Sequence, residues 1–381
     1  MIPPLPITED PVHSEVKETV ERLRLGYRYR ELDGAPEFPR EEFRELGRAH
    51  LLGLSRDTRL GGRGLPLPRV GSVLYLLGYL AGTTFAKLAM QPEFCGVLGE
   101  YGSTDLIERY YRPLLRGELL IGNQITEPGA GSDLSTLATT ARRDGSEYRL
   151  SGTKTEAAFA TEADAAIVYA KVEGPDSGSG VSAFLVPQTN VGIVRTPGDD
   201  LGERWMRRGT VVYDQVRIPA DHRIGTEGKA FEYVRDELVR DRLLLSCIYL
   251  GVARRSWEET IDHVGKRVAF GRPLSDQEAV GFALVEDWVR SDAAWRYVEH
   301  ALEGPSVGAA ESALAKWYAY EVALTCIDHA IQFHGGRGYS KDLPHEQRWR
   351  DVRSGGIAHG PSEIMHLVAS RALWPRPPAS P

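Results

Sequence analysis

The pattern of hydrophobic and polar positions changes twice along the chain. Residues 38–54 carry apolar side chains at helical spacing, and residues 70–89 form an apolar segment too long for a strand, so both predict helices. From about residue 121 to residue 225, short β-branched runs are broken by Gly, Pro, Asp and Ser, which predicts strands. The clearest predicted strands are residues 166–172, 182–186 and 210–218.

Helical periodicity returns after Gly228 and continues almost to the end of the chain. The order is therefore helical, then β, then helical, which predicts an α+β fold. Residues 60–66 and 174–180 are rich in Gly and Pro and predict a loop and a turn. The Pro-rich tail after Trp374 cannot continue a helix, and we expect residues 376–381 to be disordered.

Composition excludes several classes of function. The chain has 381 residues and a formal net charge of -7, whereas nucleic-acid binding needs clustered Lys and Arg. Three widely spaced cysteines fit neither a disulfide framework nor a zinc site, so we expect no metal. The N-terminal residues lack the basic, apolar pattern of a secretory signal, and no apolar run reaches the roughly 18 residues of a membrane span. We expect a cytoplasmic protein.

Residues 126–133 form the most specific motif, Thr-Glu-Pro-Gly-Ala-Gly-Ser-Asp. Two glycines and a proline fix a loop whose backbone amides and hydroxyls can approach a ligand closely. The string resembles the signature of acyl-CoA dehydrogenases, which opens the central β domain and lines the flavin and thioester sites. The resemblance implies flavin contacts by Ile125, Thr126, Gly131 and Ser132, with Ser132 also near the substrate.

Further segments resemble the same family in the same order along about residues 30–373. They are residues 148–154, 216–219, 267–271, 332–339, 350–351 and 360–373. The resemblance implies that Arg267, Phe270, Gln332, Gly335 and Gly336 hold the pyrophosphate and adenosine of FAD. In this family those segments reach a flavin held mainly by the neighbouring subunit, so a homodimer or a larger homo-oligomer is implied.

The family resemblance also divides the chain into domains. It implies an N-terminal helical domain in residues 1–120 and a central β barrel-like domain in residues 121–226. A C-terminal four-helix bundle follows in residues 227–375. The fold class is therefore α+β of the acyl-CoA dehydrogenase type.

The expected catalytic base is altered in this chain. Most family members place a glutamate just before the glycine of the closing helix, and His359 stands there, followed by Gly360 and Pro361. A histidine can accept a proton near neutral pH, or it can be a spacer in a pocket that no longer dehydrogenates. Other members carry the base immediately before an arginine on an earlier helix, where this chain has Asp241 and Arg242.

Asp241 and Arg242 stand out without any resemblance. They fall on the inward stripe of a predicted helix, defined by residues 238, 245, 248 and 252, where apolar side chains are expected. A charged pair that faces inward loses solvation, so it is either a structural ion pair or functional. Asp241, Arg242 and His359 are therefore the candidate catalytic residues, and Arg242 is also a candidate substrate contact.

The flavin site departs from the family pattern as well. Where the family has an aromatic residue and a hydroxyl after the lysine of the β domain, this chain has Glu156, Ala157 and Ala158. Glu278 replaces a family glutamine, although Gln277 lies beside it. A carboxylate near a pyrophosphate is repulsive unless a cation or water intervenes.

Two enzymatic functions fit these residues. The first is a divergent FAD-dependent dehydrogenase of an acyl thioester, carried by CoA or an acyl carrier protein, in specialised biosynthesis. The second is a non-redox acid–base enzyme on the same scaffold, catalysing elimination, cyclisation or isomerisation with FAD weak or absent. A DNA-binding role, known within the superfamily, would need a basic face that the net charge does not provide.

Overall fold

The computed structural model describes residues 3–34, 37–174, 180–304 and 307–374. Its helices lie before and after a β region, as the hydrophobic pattern predicts. They are α1 (Pro11–Arg22), α2 (Leu25–Gly34), α3 (Arg40–Arg48), α4 (Leu67–Ala89), α5 (Gln91–Phe94), α6 (Gly96–Tyr101), α7 (Thr104–Leu106), α8 (Arg112–Leu115), α9 (Ala230–Lys266), α10 (Glu278–Glu303), α11 (Ala309–Phe333), α12 (His345–Arg353) and α13 (Ser362–Leu373).

The β region forms one mixed sheet, and a small hairpin follows α9. The strands are β1 (Ile121–Gln124), β2 (Thr140–Asp144), β3 (Glu147–Ala157), β4 (Ala165–Glu173), β5 (Val181–Pro187), β6 (Ile193–Pro197), β7 (Gly209–Pro219), β8 (Arg223–Ile224), β9 (Val268–Ala269) and β10 (Arg272–Pro273). The sheet has the order β6-β7-β3-β2-β4-β5-β8, with β1 also paired to β4, while β9 and β10 pair with each other.

One edge of β4 is shared by two parallel partners. β1 pairs with Ala165 to Val168, and β2 pairs with the continuation from Lys171 to Glu173. The chain leaves the sheet after β1 and returns at β2, and the intervening loop contains the Thr-Glu-Pro-Gly-Ala-Gly-Ser-Asp motif. The sheet therefore fixes both ends of the motif loop.

The core of the sheet explains the strand composition. β4 and β5 are buried on both faces, which suits their nearly continuous apolar sequences. β7 alternates between buried and exposed positions, as a strand with one solvent face does. The buried cluster comprises Ala141, Tyr148, Leu150, Ala157, Ala160, Ala166, Val168, Ala170, Val172, Phe184, Val186, Val211, Tyr213, Val216 and Ile218.

The chain divides into two compact units. One comprises Met1–Asp33, Pro66–Lys87 and Val239–Pro381, and its helices include α1, α10, α11, α12 and α13. The other comprises Gly34–Leu65 and Leu88–Leu238 and contains the mixed sheet. The division into residues 1–120, 121–226 and 227–375 stays a prediction.

The long apolar helix α4 contains a backbone break at Gly82. Its φ of +70° is in the left-handed region, which costs glycine little because it has no Cβ. A Cβ there would lie 3.2 Å from the ring of Tyr29, so the close packing of α2 also favours glycine. Substitution of Gly82 would disturb both the backbone and this contact.

The helical segment Leu67–Tyr101 is long and apolar enough to cross a membrane, by length and composition. The expectation that no apolar run reaches that length is wrong. However, 89% of its most apolar stretch is buried inside the protein, as the core helix of a soluble protein also is. The segment is therefore weak evidence for a membrane span.

The predicted fold class is confirmed, and most predicted elements are close to the observed ones. The helix expected over residues 38–54 is shorter, because α3 ends at Arg48 and His50 adopts a φ of +52°. The strands near residues 166, 182 and 210 are present as β4, β5 and β7. Most of the predicted turn, at residues 175–179, and the predicted disordered tail lie outside the described residues.

Candidate active site

The motif loop is anchored by a buried ion pair. Lys154 of β3 donates to Glu127 Oε1 at 2.7 Å and to the carbonyl oxygen of Ile125 at 3.0 Å. The Glu127 carboxylate also accepts hydrogen bonds from the backbone amides of Ala138 and Thr139. Glu127 therefore ties the start of the loop to its end and to the sheet.

Burial governs the ionisation of this pair. Burial lowers the pKa of Lys154 to about 8, although Glu127 opposes the shift. Burial acts to raise the pKa of Glu127, but hydrogen bonds from Lys154, Thr139 and Ala138 outweigh it and lower the pKa overall. A carboxylate with several donors in a dry site stays ionised, so the anchor is an ion pair at neutral pH.

The outer part of the motif loop faces open space. Ile125 and Thr126 are half-buried, whereas Gly131 and Ser132 are exposed. A Cβ added at Gly129 or at Gly131 would have no heavy atom within 4 Å. The four predicted flavin contacts are thus at the surface of an anchored loop, with backbone amides and hydroxyls accessible to a ligand.

The unusual Glu156 has a cationic partner. Arg208 Nη2 lies 3.2 Å from a Glu156 carboxylate oxygen, and the same guanidinium forms two hydrogen bonds to Asp200. Glu156 has a left-handed φ of +53°. The negative charge of Glu156 is therefore partly compensated by a neighbouring guanidinium.

The predicted pyrophosphate segment forms the tight β9–β10 hairpin. Phe270 and Gly271 occupy its turn, both with positive φ, and the Phe270 side chain is 97% exposed. Arg267 precedes β9 and is exposed. The Phe270 ring is therefore accessible to a partner or a ligand.

The second altered position is explained by local structure. Glu278 begins α10, where a carboxylate is favoured by the helix N-terminus. Gln277 accepts a hydrogen bond from Arg272 at 2.9 Å, which links it to the hairpin. The carboxylate at position 278 is therefore explained by the favourable charge at the helix N-terminus, without any flavin.

The predicted adenosine segment lies at the end of α11. Gln332, Gly335 and Gly336 are exposed, and Gly335 has a φ of +59°. A Cβ at either glycine would meet nothing within 4 Å. Beneath this segment the rings of His263, His334 and His345 form a stack, with centroid distances of 4.1 and 4.5 Å.

The three candidate catalytic residues come together within one compact unit. His359 Nε2 lies 4.0 Å from Asp241 Oδ2, and Arg242 Nε donates to the carbonyl oxygen of His359 at 3.1 Å. Asp241 is only 4% exposed and Arg242 only 7%. The inward orientation expected from the helix stripe is therefore observed, and the two alternative bases belong to one cluster.

Two lysines that the sequence did not single out join this cluster. Lys316 of α11 donates to the carbonyl oxygens of Ala358 and Gly360 at 2.6 and 2.5 Å. Lys87 of α4 donates to Ser354 Oγ at 3.3 Å. Lys316 lies among buried alanines on α11, so the same criterion of a charge on an apolar stripe could have identified it.

The cluster strongly affects the ionisation of His359. Burial, followed by the charges of Lys316, Lys87 and Arg242, lowers the pKa of His359 to about 3. Burial and the charges of Arg242 and Lys87 lower the pKa of Lys316 to about 7. The imidazole is therefore neutral at physiological pH, and it is a weak proton acceptor.

The described residues fit a dinucleotide cofactor. The motif loop offers hydroxyls and amides beside open space, and Arg267 and Gln332 offer a cation and an amide. The two acidic substitutions are accounted for by Arg208 and by the start of α10. For metals, the described part of the chain contains no group of three or more His, Cys, Asp or Glu side chains that could hold an ion.

Comparison with protein-family models gives three consecutive matches. Residues 10–118 match the N-terminal domain of acyl-CoA dehydrogenase, residues 122–216 its middle domain and residues 228–374 its C-terminal domain. The 3-(aryl)acrylate reductase of Clostridium sporogenes is 29% identical over 90% of this chain and 92% of its own length. The mitochondrial short-chain specific acyl-CoA dehydrogenase of Bos taurus is 29% identical over 90% of this chain and 84% of its own.

Solved structures show the same fold. A probable acyl-CoA dehydrogenase from Mycobacterium abscessus is 28% identical and superposes with a TM-score of 0.90, covering 95% of this chain and 97% of its own. A prolyl acyl carrier protein oxidase has 24% identity and a TM-score of 0.89, covering 97% and 100% of the two chains.

A glutaryl-CoA dehydrogenase from Mycobacterium smegmatis, solved in complex with FADH2, has 24% identity and a TM-score of 0.89, covering 98% of this chain and 97% of its own. Members of the family bind FAD, and the exposed donor groups of this chain suit that cofactor. The chain belongs to the acyl-CoA dehydrogenase family.

Proposed function

We propose that this protein is a flavin-dependent dehydrogenase of an acyl thioester in which Asp241 removes the α proton. The supporting observation is the cluster formed by buried Asp241, buried Arg242 and half-buried His359. When bound, FAD accepts a hydride from the β carbon of the substrate. The residues of the chain itself must bind the thioester, exclude water and take the proton.

Asp241 is better suited than His359 to be the base. A base should have a pKa near that of its task, and a pKa of about 3 makes the His359 imidazole a poor proton acceptor. Asp241 instead offers a carboxylate, the functional group that the family uses as its base, and only 4% of the residue is exposed. A carboxylate is one methylene shorter in aspartate than in glutamate, so the substrate must approach α9 closely.

His359 then acts as a neutral neighbour of the base. Its Nε2 atom faces Asp241 Oδ2 at 4.0 Å, a distance that a small movement of the loop would convert into a hydrogen bond. Arg242 fixes the carbonyl oxygen of the same residue. Arg242 therefore helps to hold the backbone that carries the imidazole next to Asp241.

A non-redox reaction is the second candidate, because Glu156 stands where the family has an aromatic residue against the flavin. Asp241 could then transfer protons in an elimination, cyclisation or isomerisation without any net oxidation. The redox reaction is favoured because members of the family bind FAD and the described residues suit that cofactor.

A visible absorption spectrum of the purified protein separates the two candidates. The dehydrogenase should be yellow, and an acyl thioester added without oxygen should bleach the absorbance. Asp241→Asn should keep the colour and lose the bleaching. A colourless protein that still converts an acyl thioester would contradict the redox proposal and support the second candidate.

The acyl carrier and the pathway belong to the same proposal. The prolyl acyl carrier protein oxidase shows that this fold can serve a carrier-bound substrate. The altered residues at positions 156 and 359 favour a substrate outside ordinary fatty-acid oxidation, and we propose specialised biosynthesis. Activity with acyl-CoA alone, and none with a carrier-bound acyl group, would contradict the carrier part.

We also propose a homodimer or a larger homo-oligomer in the cytoplasm. Phe282, Val285 and Val289 are exposed on one face of α10, and Phe270 and Tyr339 are almost fully exposed. Such a surface is typical of subunit contacts. The cysteines Cys95, Cys247 and Cys326 are all buried, and we propose that they remain thiols in a reducing compartment.

A further inference from the structure

The loop that carries His359 is held by side chains. Three successive carbonyl oxygens, at Ala358, His359 and Gly360, each accept a hydrogen bond from a buried cation. Lys316 donates to the first and the third of these oxygens, and Arg242 donates to the second. Side chains from two helices, α9 and α11, therefore hold one turn of backbone by hydrogen bonds.

This turn has an unusual backbone conformation. His359 has a φ of +55° and Gly360 a φ of +95°. A left-handed conformation is unfavourable for a residue with a Cβ, and it persists only where the surroundings impose it. Lys316 fixes the peptide group before His359 through the Ala358 carbonyl oxygen, and Arg242 fixes the peptide group after it through the His359 carbonyl oxygen. The second Lys316 bond fixes the next peptide group, after Gly360, so the two cations together are suited to impose this conformation.

Burial of the Lys316 side chain is energetically unfavourable at this position. Its side chain is only 1% exposed, and a buried ammonium loses its hydration unless it finds partners. Two of the three N–H groups of the ammonium donate to the loop carbonyl oxygens at short distances. The stability lost by burying this charge is offset only if the loop remains in place.

The charge of Lys316 acts on the imidazole as well. The charged groups near His359 are Lys87 from α4, Asp241 and Arg242 from α9, and Lys316 from α11. Lys316 is the strongest of the cations that lower the pKa of His359. The same residue thus fixes the ring's backbone and favours its neutral form.

We propose that Lys316 is a positioning residue of the active site, which holds His359 in the left-handed conformation with its imidazole toward Asp241. The inference rests on the proposed function only for its catalytic consequence. A neutral, fixed imidazole beside the carboxylate adds no further positive charge next to the base and limits the movement of Asp241.

Two variants separate the roles of Lys316. Lys316→Met removes both the charge and the hydrogen bonds, whereas Lys316→Gln removes the charge but keeps an amide that can donate to the loop. Glu321→Gln, an exposed position on the same helix, is the control. None of the three changes the proposed base.

Hydrogen exchange tests the backbone role. In Lys316→Met, the amides of residues 357–360 should exchange about ten-fold faster or more, because the loop opens more often. The exchange rates in Lys316→Gln should lie between those in Lys316→Met and those in wild type. The rates in Glu321→Gln should equal those in wild type. Unchanged protection of this segment in Lys316→Met would overturn the inference.

NMR titration tests the electrostatic role. The protein contains ten histidines, and the His359 ring signal is assigned as the one missing from His359→Gln labelled with carbon-13 histidine. Its titration midpoint should rise by about one pH unit or more in both Lys316 variants, because a nearby cation is lost. An unchanged midpoint in Lys316→Gln would also overturn the inference.

These measurements need no turnover, so they are distinguishable from a failure of the proposed function. If the protein has no redox activity but the Lys316 variants change loop exchange and the His359 titration, the proposed function fails while the positioning role is supported. In the active enzyme, Lys316→Gln should lower kcat more than it raises KM and shift the pH profile. If Lys316→Met does not fold, the same two readouts on Lys316→Gln decide.

Discussion

The ion pair beneath the motif loop allows the most direct test of how the proposed cofactor surface is held in place. Lys154 is fully buried, and its ammonium contacts Glu127 at 2.7 Å. Lys154→Met would leave the Glu127 carboxylate buried, with only the amides of Ala138 and Thr139 as partners. Breaking a buried pair on one side typically costs 3–5 kcal/mol, and the two remaining hydrogen bonds reduce this cost, so we expect about 3 kcal/mol.

The assay is chemical denaturation at fixed protein concentration, with FAD content measured on the same samples. Glu127→Gln should cost less than Lys154→Met, because the amide can still accept a hydrogen bond from Lys154. The double variant should lose about 1–3 kcal/mol less than the sum of the single variants. FAD content should fall in Lys154→Met, since the loop ends are no longer joined.

A matched control uses the same substitution at the surface. Lys266 pairs with Asp262 at 2.5 Å, but both side chains are largely exposed. Lys266→Met should change stability by less than about 0.5 kcal/mol. A loss in Lys154→Met as small as in this control, or strictly additive effects of the two single changes, would refute the reasoning.

Three further predictions follow from other parts of the structure. Asp241→Asn should lower kcat by about 100- to 10,000-fold and slow deuterium exchange at the substrate α carbon, and normal exchange would exclude Asp241 as the base. Burial lowers the pKa of His345 to about 3, so stability should fall as pH drops below the unfolded value of 6.5. By pH 5 this loss is about 2 kcal/mol, and His345→Gln should remove it in urea titrations; an identical slope would contradict it. Phe270→Ser should weaken self-association in analytical ultracentrifugation, and an unchanged sedimentation profile would show that Phe270 lies outside the subunit contact.

Periodicity and local motifs determined much of this protein without any structure. The change from helical to β-branched patterns gave the order of elements, because side-chain burial follows the geometry of helix and strand. The eight-residue motif at 126–133 identified the family, and it predicted where the cofactor binds. The helix stripe around Asp241 and Arg242 predicted their burial, since α9 is long enough for its spacing to define an inward face.

Only the tertiary structure decided how these charges interact. Arg242 and His359 are 117 positions apart, and no local pattern shows that the arginine binds the histidine's carbonyl oxygen. The partner of Glu156 is Arg208, on a separate segment, so a substitution that looked repulsive in the sequence is compensated in space. Long-range electrostatic contacts depend on the packing of whole elements, whereas periodicity reports only which face of an element is buried. The low pKa of His359 therefore follows from the fold and not from the residue type, and the proposal of Asp241 as base depends on it.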